Sequence, residues 1–298
     1  MLTRRKFITT ATAAPFATAL AGKAVASIDV AGGTLTTVSD GTLTLPYDMM
    51  FGHVPADDLA PYIQSLGISP GNQTPPCNVT LYQDGTNTVL FDAGSGFDFM
   101  PTAGELLDNL DAIGVAPEDV THVVFTHAHP DHIWGVLDDF GDPAFYEATH
   151  MMGRAEWDYW WNPETVNTIG ADRQAFAVGA KRRMEAIEDV MEFFDPGDEI
   201  LPGVGAFATY GHTPGHISFE IGDAIISGDA TGNSPLSIAR PEWVSGSDQD
   251  QEMGAASRTM LMDRLVSEQK TLIGFHQPNG GIGRIEKLAN GEFTFVPT

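Results

Sequence analysis

Cysteine is almost absent: the 298-residue chain holds one, Cys77. That excludes a disulfide framework and any cysteine-rich zinc module. Basic residues are scarce too, 15 Lys and Arg against 40 Asp and Glu, for a formal net charge of −25. Phosphate contact needs clustered Lys and Arg, so no nucleic-acid partner is expected. No apolar run reaches the roughly 18 residues that cross a bilayer, so no membrane span is expected. With 42% hydrophobic and 18% charged residues, the chain is neither disordered nor a coiled coil. Its length suits one large domain or two ordinary ones, with ample material for a core.

Residues 1–26 read as an address. Arg4-Arg5-Lys6 precedes an Ala/Thr-rich stretch that ends in Ala24-Val25-Ala26, the order of an n-region, an h-region and an A-x-A cleavage signal. The run Thr3-Arg4-Arg5-Lys6-Phe7-Ile8 resembles a bacterial twin-arginine export signal. A periplasmic or secreted product of residues 27–298 is the expectation. Removing the leader takes away four basic residues and no acidic one, which keeps the product soluble and disfavours anionic surfaces.

Three D-G or N-G pairs lie between β-rich runs, the strongest short-range hairpin signal. Residues 34–39 and 42–46 flank Asp40-Gly41, 78–83 and 88–91 flank Asp84-Gly85, and 284–289 and 292–296 flank Asn290-Gly291. Further strands are predicted at 122–126, 206–210, 217–221, 224–227 and 271–275. Apolar spacing predicts helices over 106–113, 171–194 and 251–267, and a short one over 56–66. Hairpins separated by helices imply sheets covered by helices. Residues 46–77, rich in proline and glycine, read as an ordered rim or lid and not as a domain boundary.

The chemistry concentrates in residues 127–132, His-Ala-His-Pro-Asp-His. Four metal-ligand types fall within six positions at the end of a predicted strand. His127 and His129, two apart, can bind one metal from the same side. Asp131 and His132, past Pro130, can face a second. Imidazole nitrogen and carboxylate oxygen are usual zinc ligands. His212, Asp229 and His276 each follow the end of another predicted strand and complete two sites.

In that order, with Asp92 in Leu90-Phe91-Asp92-Ala93-Gly94 ahead of the cluster, the motifs resemble the metallo-β-lactamase-fold hydrolase superfamily over nearly all of residues 27–298. The resemblance implies a four-layer αββα sandwich of the α/β class. It implies that His127, His129 and His212 hold one metal, that Asp131, His132 and His276 hold the other, and that Asp229 bridges them. Asp92 would support the ligand loop and His216 would neighbour the site without ligating. Asp229 and Asp131 are the candidate catalytic residues. The cofactor would be two divalent ions, zinc first, with manganese, cobalt and iron compatible.

Among branches, the segments 127–137 (HAHPDHIWGVL), 156–160, 281–285 and 295–297 look closest to methyl parathion hydrolase and its exported relatives. That branch would put Phe99, Trp160 and Phe176 at an aromatic substrate mouth, with core packing as the other reading of these three. Acyl-homoserine lactonases carry a tyrosine three residues after the bridging aspartate, where this chain has Gly232. The implied reaction is attack by a metal-bridging hydroxide on an aryl or carboxyl ester, a lactone or a phosphotriester. The substrate would be small, neutral or apolar, and a homodimer is compatible. The alternatives are a single-iron oxygenase like persulfide dioxygenase and a β-lactam hydrolase of the cysteine-free type.

Overall fold

The computed structural model describes residues 26–298. The leader expected over 1–26 lies outside the described residues except for Ala26, which opens the first strand. The first half of the chain runs β1 (Ala26–Val30), β2 (Gly33–Thr42), α1 (Tyr47–Phe51), α2 (Ala56–Ser65), β3 (Pro76–Gln83), β4 (Thr88–Phe91), α3 (Leu106–Ala112), β5 (His122–Phe125), α4 (Pro130–Ile133), β6 (Thr149–Gly153), α5 (Arg154–Trp161), α6 (Thr165–Thr168), α7 (Gln174–Ile187) and β7 (Met191–Phe194). The second half runs β8 (Glu199–Leu201), β9 (Val204–Ala208), β10 (Ile217–Ile221), β11 (Ala224–Ile226), α8 (Pro235–Ala239), α9 (Gln251–Ser267), β12 (Thr271–Ile273), β13 (Ile282–Lys287) and β14 (Phe293–Pro297). They form two seven-stranded mixed sheets, one in the order β1 to β7 and one in the order β14 to β8.

Alternation along the strands builds the layers. In β5, Val124 packs between the sheets with Phe91, Phe219 and Ile226, while Val123 and Phe125 face the helices of the first half. That outer face is covered by Leu110 of α3, Trp157 and Trp160 of α5, and Ala180, Met184 and Ile187 of α7. The second sheet turns Ile225, Leu272 and Ile285 outward against Leu261, Met262 and Leu265 of α9. The central strands β3, β4, β5 and β11 show apolar side chains on both faces because both faces are covered. The result is the expected helix–sheet–sheet–helix sandwich.

Two of the three hairpins form as expected: β3 pairs antiparallel with β4, and β13 with β14. The Asp40-Gly41 hairpin does not form. β2 runs straight through that pair, with an irregular register against β3 between Ser39 and Thr42, and the turn comes earlier, between Val30 and Gly33. The cause is the Asp40 side chain. It is fully buried and accepts the backbone N–H groups of Ser95 (2.7 Å) and Leu106 (3.0 Å). A turn would leave that carboxylate in solvent.

The helix expected over 171–194 is shorter. α7 stops at Ile187, and Met191–Phe194 becomes β7, parallel to β6, with Met191 opposite His150 and Phe194 opposite Gly153. A short apolar run after a helix suits either state, and the open edge of β6 decides it. No helix among the described residues is long and apolar enough to cross a membrane.

Candidate metal centre

β5 is short and buried, and it delivers residues 126–133 to one edge of the sandwich. Pro130 opens α4, where its missing N–H is not needed, and so turns the chain between His129 and Asp131. The loops after β9, β11 and β12 bring His212, Asp229 and His276 to the same edge. All seven expected ligands are buried there.

The donor atoms gather in two groups. One is His127, His129 and His212. The other is Asp131, His132, Asp229 and His276. Within each group they lie within 4.8 Å of one another. Asp229 stands between the groups: Oδ1 is 3.2 Å from His132 Nε2, and Oδ2 is 3.3 Å from both His212 Nε2 and His276 Nε2. His276 Nε2 is also 3.3 Å from Asp131 Oδ2.

Divalent ions fit these residues. His127 Nε2, His132 Nε2, His276 Nε2, Asp131 Oδ2 and Asp229 Oδ1 are buried without a hydrogen-bond partner among the described residues. Several opposite ring nitrogens are held: His132 Nδ1 by Asp92 Oδ2 (2.7 Å), His276 Nδ1 by the Pro76 carbonyl (2.7 Å) and His212 Nδ1 by Asp248 Oδ1 (3.2 Å). Anchoring one nitrogen aims the other, the usual arrangement behind ligating histidines. Convergent buried imidazoles and carboxylates with unspent atoms are a donor set for zinc or a similar ion.

The electrostatics divide the same way. Burial and the neighbouring imidazoles hold His127 and His129 well below the usual histidine pKa, in the neutral, ligating form. Burial opposes charge on His132 as well, but Asp131, Asp229 and Asp92 around it hold its pKa well above the usual value. His276 is raised likewise by Asp229 and Asp131. Burial works against the ionised forms of Asp131 and Asp229, yet the imidazoles keep both carboxylates well below the usual range. Protons and metal ions therefore compete for one carboxylate-rich pocket.

A supporting layer fixes these groups. Asp92 follows β4 at φ +70° and accepts both the N–H and the hydroxyl of Thr126 (2.8 Å each) as well as His132. A non-glycine residue in the left-handed region is strained, and these three bonds hold it there. His216 Nε2 accepts the Asp229 backbone N–H (3.0 Å), and its Nδ1 lies 2.8 Å from the Thr209 hydroxyl. His216 thus positions Asp229 without joining either group. Gly228 is required: at φ +50° a Cβ there would meet His216 Nε2 at 2.8 Å.

Two supporting residues escaped the sequence reading. Glu156 is fully buried and accepts Ala128 N–H (2.9 Å), the Thr213 hydroxyl (2.7 Å), Gly215 N–H (2.9 Å) and the Trp160 indole N–H (2.6 Å). It ties the ligand loop of the first half to that of the second. Its one sequence signal is a carboxylate four residues before a tryptophan on an apolar helix face. Asp248 braces His212 and pairs with the buried Arg258 (3.1 Å), and nothing in its local sequence marks it.

A cavity of about 200 Å³ opens over His129, Asp131, His212, Asp229 and His276. Its walls include Leu43, Met49, Phe99, Met100 and Phe176, so Phe99 and Phe176 stand at the expected mouth. Trp160 does not. It is 1% exposed, with its ring 5.7 Å from that of His129, behind the ligand and away from the cavity. Its place is the core, because its indole N–H must reach the buried Glu156. Of residues 46–77, Pro46 and Met49 line this cavity. Gly232 carries φ +69°, and a Cβ there would lie 2.5 Å from Ser237 Oγ, so this backbone admits no tyrosine at that position. Cys77 is buried, and burial pushes its thiol up to about 12, which keeps it protonated and out of both groups.

Comparison with known proteins agrees with this geometry. The N-acyl homoserine lactonase AttM of Azorhizobium caulinodans is 32% identical over 113 residues, 37% of this chain and 39% of the relative. Metallo-beta-lactamase domain-containing protein 1 of Xenopus laevis is 32% identical over 157 residues, 51% of this chain and 53% of the relative. The chain thus spans about two-fifths to one-half of the length of these relatives. Two solved structures share the fold across 93% of this chain and 98% of their own: the hydrolase AbOPH of the beta lactamase superfamily (TM-score 0.84, 23% identity) and AidC, a dizinc quorum-quenching lactonase (TM-score 0.85, 21% identity). The family model described as the Metallo-beta-lactamase superfamily matches residues 73–257. With that match over more than half its length, and with its ligand groups at one edge of an αββα sandwich, the chain belongs to the metallo-beta-lactamase superfamily.

Proposed function

We propose that the protein is a dinuclear metal-dependent hydrolase of small ester-type substrates, with lactones and carboxyl or aryl esters ahead of phosphotriesters. The observation that carries this reading is Asp229, whose two oxygens reach both ligand groups. His127, His129 and His212 would hold one ion, Asp131, His132 and His276 the other, and Asp229 both. Bound ions, zinc foremost, would supply an activated water at neutral pH and polarise the carbonyl or phosphoryl oxygen of the group under attack.

The chain's own residues do the rest. Asp92, Asp248, Glu156 and His216 hold the donors in place. Asp229 would pass a proton to the departing oxygen. The walls of Leu43, Met49, Phe99, Met100 and Phe176 exclude water and favour an apolar substrate body. Lactones come first because the named relatives AttM and AidC are lactonases. The kinship to methyl parathion hydrolase-like exported enzymes rests on the sequence segments alone, and so does export. Arg4→Lys with Arg5→Lys should keep the protein in the cytoplasm, and fractionation with normal periplasmic yield would reject that route.

The test is a hydrolysis panel on metal-reconstituted protein, with aryl esters, lactones, phosphotriesters and a β-lactam, beside elemental analysis. Two metals per chain with ester or lactone turnover is the expected result. One iron per chain with oxygen consumed on a persulfide would overturn the reading in favour of the oxygenase. Turnover of the β-lactam alone would move the chain to that branch.

A further inference from the structure

The three imidazoles of the first ligand group do not offer the same nitrogen. His127 Nε2 is buried without a partner, and its Nδ1 lies 3.0 Å from the Thr126 hydroxyl. His212 Nδ1 is held by Asp248, which leaves Nε2 for the group. His129 is the reverse. Its Nδ1 lies 2.8 Å from His212 Nε2, inside the group, and its Nε2 faces Gln249. A neutral imidazole that ligates through Nδ1 carries its proton on Nε2. That N–H is a donor and calls for an acceptor.

Packing holds the His129 ring without fixing which nitrogen faces inward. The rings of Trp160 and Phe176 meet it edge-on at 5.7 and 5.8 Å, and apolar contacts do not tell a ring nitrogen from a ring carbon. Among the described residues, the one polar contact of His129 Nε2 is the Gln249 side-chain amide at 3.5 Å. The other end of that amide meets the Tyr159 hydroxyl at 2.7 Å. The backbone around Gln249 is pinned. Its N–H donates to the His212 carbonyl (3.1 Å), and Asp250 N–H donates to the Gly211 carbonyl (2.9 Å). Just before it, Arg173 Nη2 donates to the carbonyls of Gly246 (2.9 Å) and Ser247 (3.0 Å). Residues 246–250 thus form a strap that carries Asp248 to His212 and Gln249 to His129.

The two ends of a carboxamide have nearly the same shape, so the hydrogen-bond network decides which end faces which neighbour. With the amide nitrogen toward His129, two N–H donors would oppose each other once Nδ1 ligates. With the oxygen toward His129, both contacts are satisfied, because the Tyr159 hydroxyl accepts as readily as it donates. We infer that Gln249 is a positioning residue for the first ion: its side-chain oxygen accepts His129 Nε2–H, its NH₂ group donates to the Tyr159 hydroxyl, and together they fix the His129 tautomer that presents Nδ1. This acceptor is neutral, unlike Asp248 behind His212 and Asp92 behind His132. It aims the ring without adding negative charge, and a carboxylate in its place would make His129 a more basic ligand. The inference rests on the two-ion reading of the site and not on the choice of substrate.

The test compares the wild-type protein with Gln249→Leu and Gln249→Glu. It measures zinc affinity by competition with a chelator, the melting temperature of the metal-free protein, and the imidazole N–H signals of the zinc-loaded protein carrying isotope-labelled histidine. In Gln249→Leu, affinity for one zinc ion should fall by about 10- to 100-fold. Its metal-free melting temperature should be unchanged, and one slowly exchanging imidazole N–H signal should be lost. Gln249→Glu keeps an accepting oxygen, so it should keep that signal and bind zinc at least as tightly as wild type. Wild-type zinc affinity in Gln249→Leu would overturn the inference. So would a Gln249→Glu protein that behaves like Gln249→Leu, since the amide N–H would then be the end that matters. Wild type that takes up two zinc ions and hydrolyses no ester sinks the hydrolase reading, and the zinc affinities still judge Gln249. Wild type that takes up no zinc sinks both.

Discussion

Trp160 donates its indole N–H to Glu156 across 2.6 Å, one turn back along α5. That bond places the tryptophan in the core behind His129, and it makes Glu156 the meeting point of four donors from three parts of the chain.

Trp160→Ala should therefore act on stability. Truncating a fully buried tryptophan costs about 3–5 kcal/mol through lost burial and a residual cavity. Affinity for aryl substrates should change only as metal occupancy changes. Melting temperature and kcat/KM per metal-loaded molecule, measured together, check this. A large loss of aryl-ester affinity at unchanged melting temperature would return Trp160 to the cavity wall.

Glu156→Gln keeps the shape and exchanges one accepting oxygen for an NH₂ group. The pairs Ala128 with Trp160 and Thr213 with Gly215 each need an oxygen, so at least one buried N–H loses its partner. The expected cost is about 1–3 kcal/mol of stability. Both ligand loops loosen as well, and metal affinity should fall by about 10- to 100-fold, the usual scale for groups behind ligands. Competition with a chelator measures it.

Asp229→Ala should leave the sandwich folded and remove most turnover. It deletes the one side chain shared by the two ligand groups. Elemental analysis should show fewer than two metals retained. Full activity with two metals would deny Asp229 its bridging place.

Asp40 predicts a pH signature in stability. Burial lifts its pKa from 3.8 to about 6, against the hydrogen bonds from Ser95 and Leu106. A raised carboxylate pKa means that the folded state holds the proton more tightly than the unfolded chain. Between about pH 4 and 6 the folded protein binds more protons, so Asp40's contribution to stability falls as pH rises through that window. Two units correspond to about 3 kcal/mol. The difference in unfolding free energy between wild type and Asp40→Asn should drop by that order from pH 4 to 6 and level off above. A difference independent of pH would show an ordinary carboxylate.

Metal affinity should fall as pH is lowered from neutral. Charged His132 and His276, favoured by the carboxylates around them, must give up their protons before they can ligate. Titration with zinc in weakly buffered solution should release protons. Release of none would place the ions elsewhere.

Much of this protein is determined within short stretches of its sequence. The His127–His132 cluster, the Asp84-Gly85 and Asn290-Gly291 hairpins and α9 are each set by neighbours in the chain. A ligand motif after a strand and a turn pair between β-rich runs are local signals; in α9 only Leu261 and Leu265 of the expected apolar stripe are buried, while Met253 and Met260 are exposed. Where Asp40 turns inward and where α7 yields to β7 depend on partners far along the chain: Leu106 for the first, the edge of β6 for the second. Glu156 and Asp248 matter only once the loops after β5 and β9 stand side by side. The physical reason is range. Backbone propensity and strand-end ligands act over a few residues, whereas burial and hydrogen-bond satisfaction depend on which distant segments the sandwich brings together.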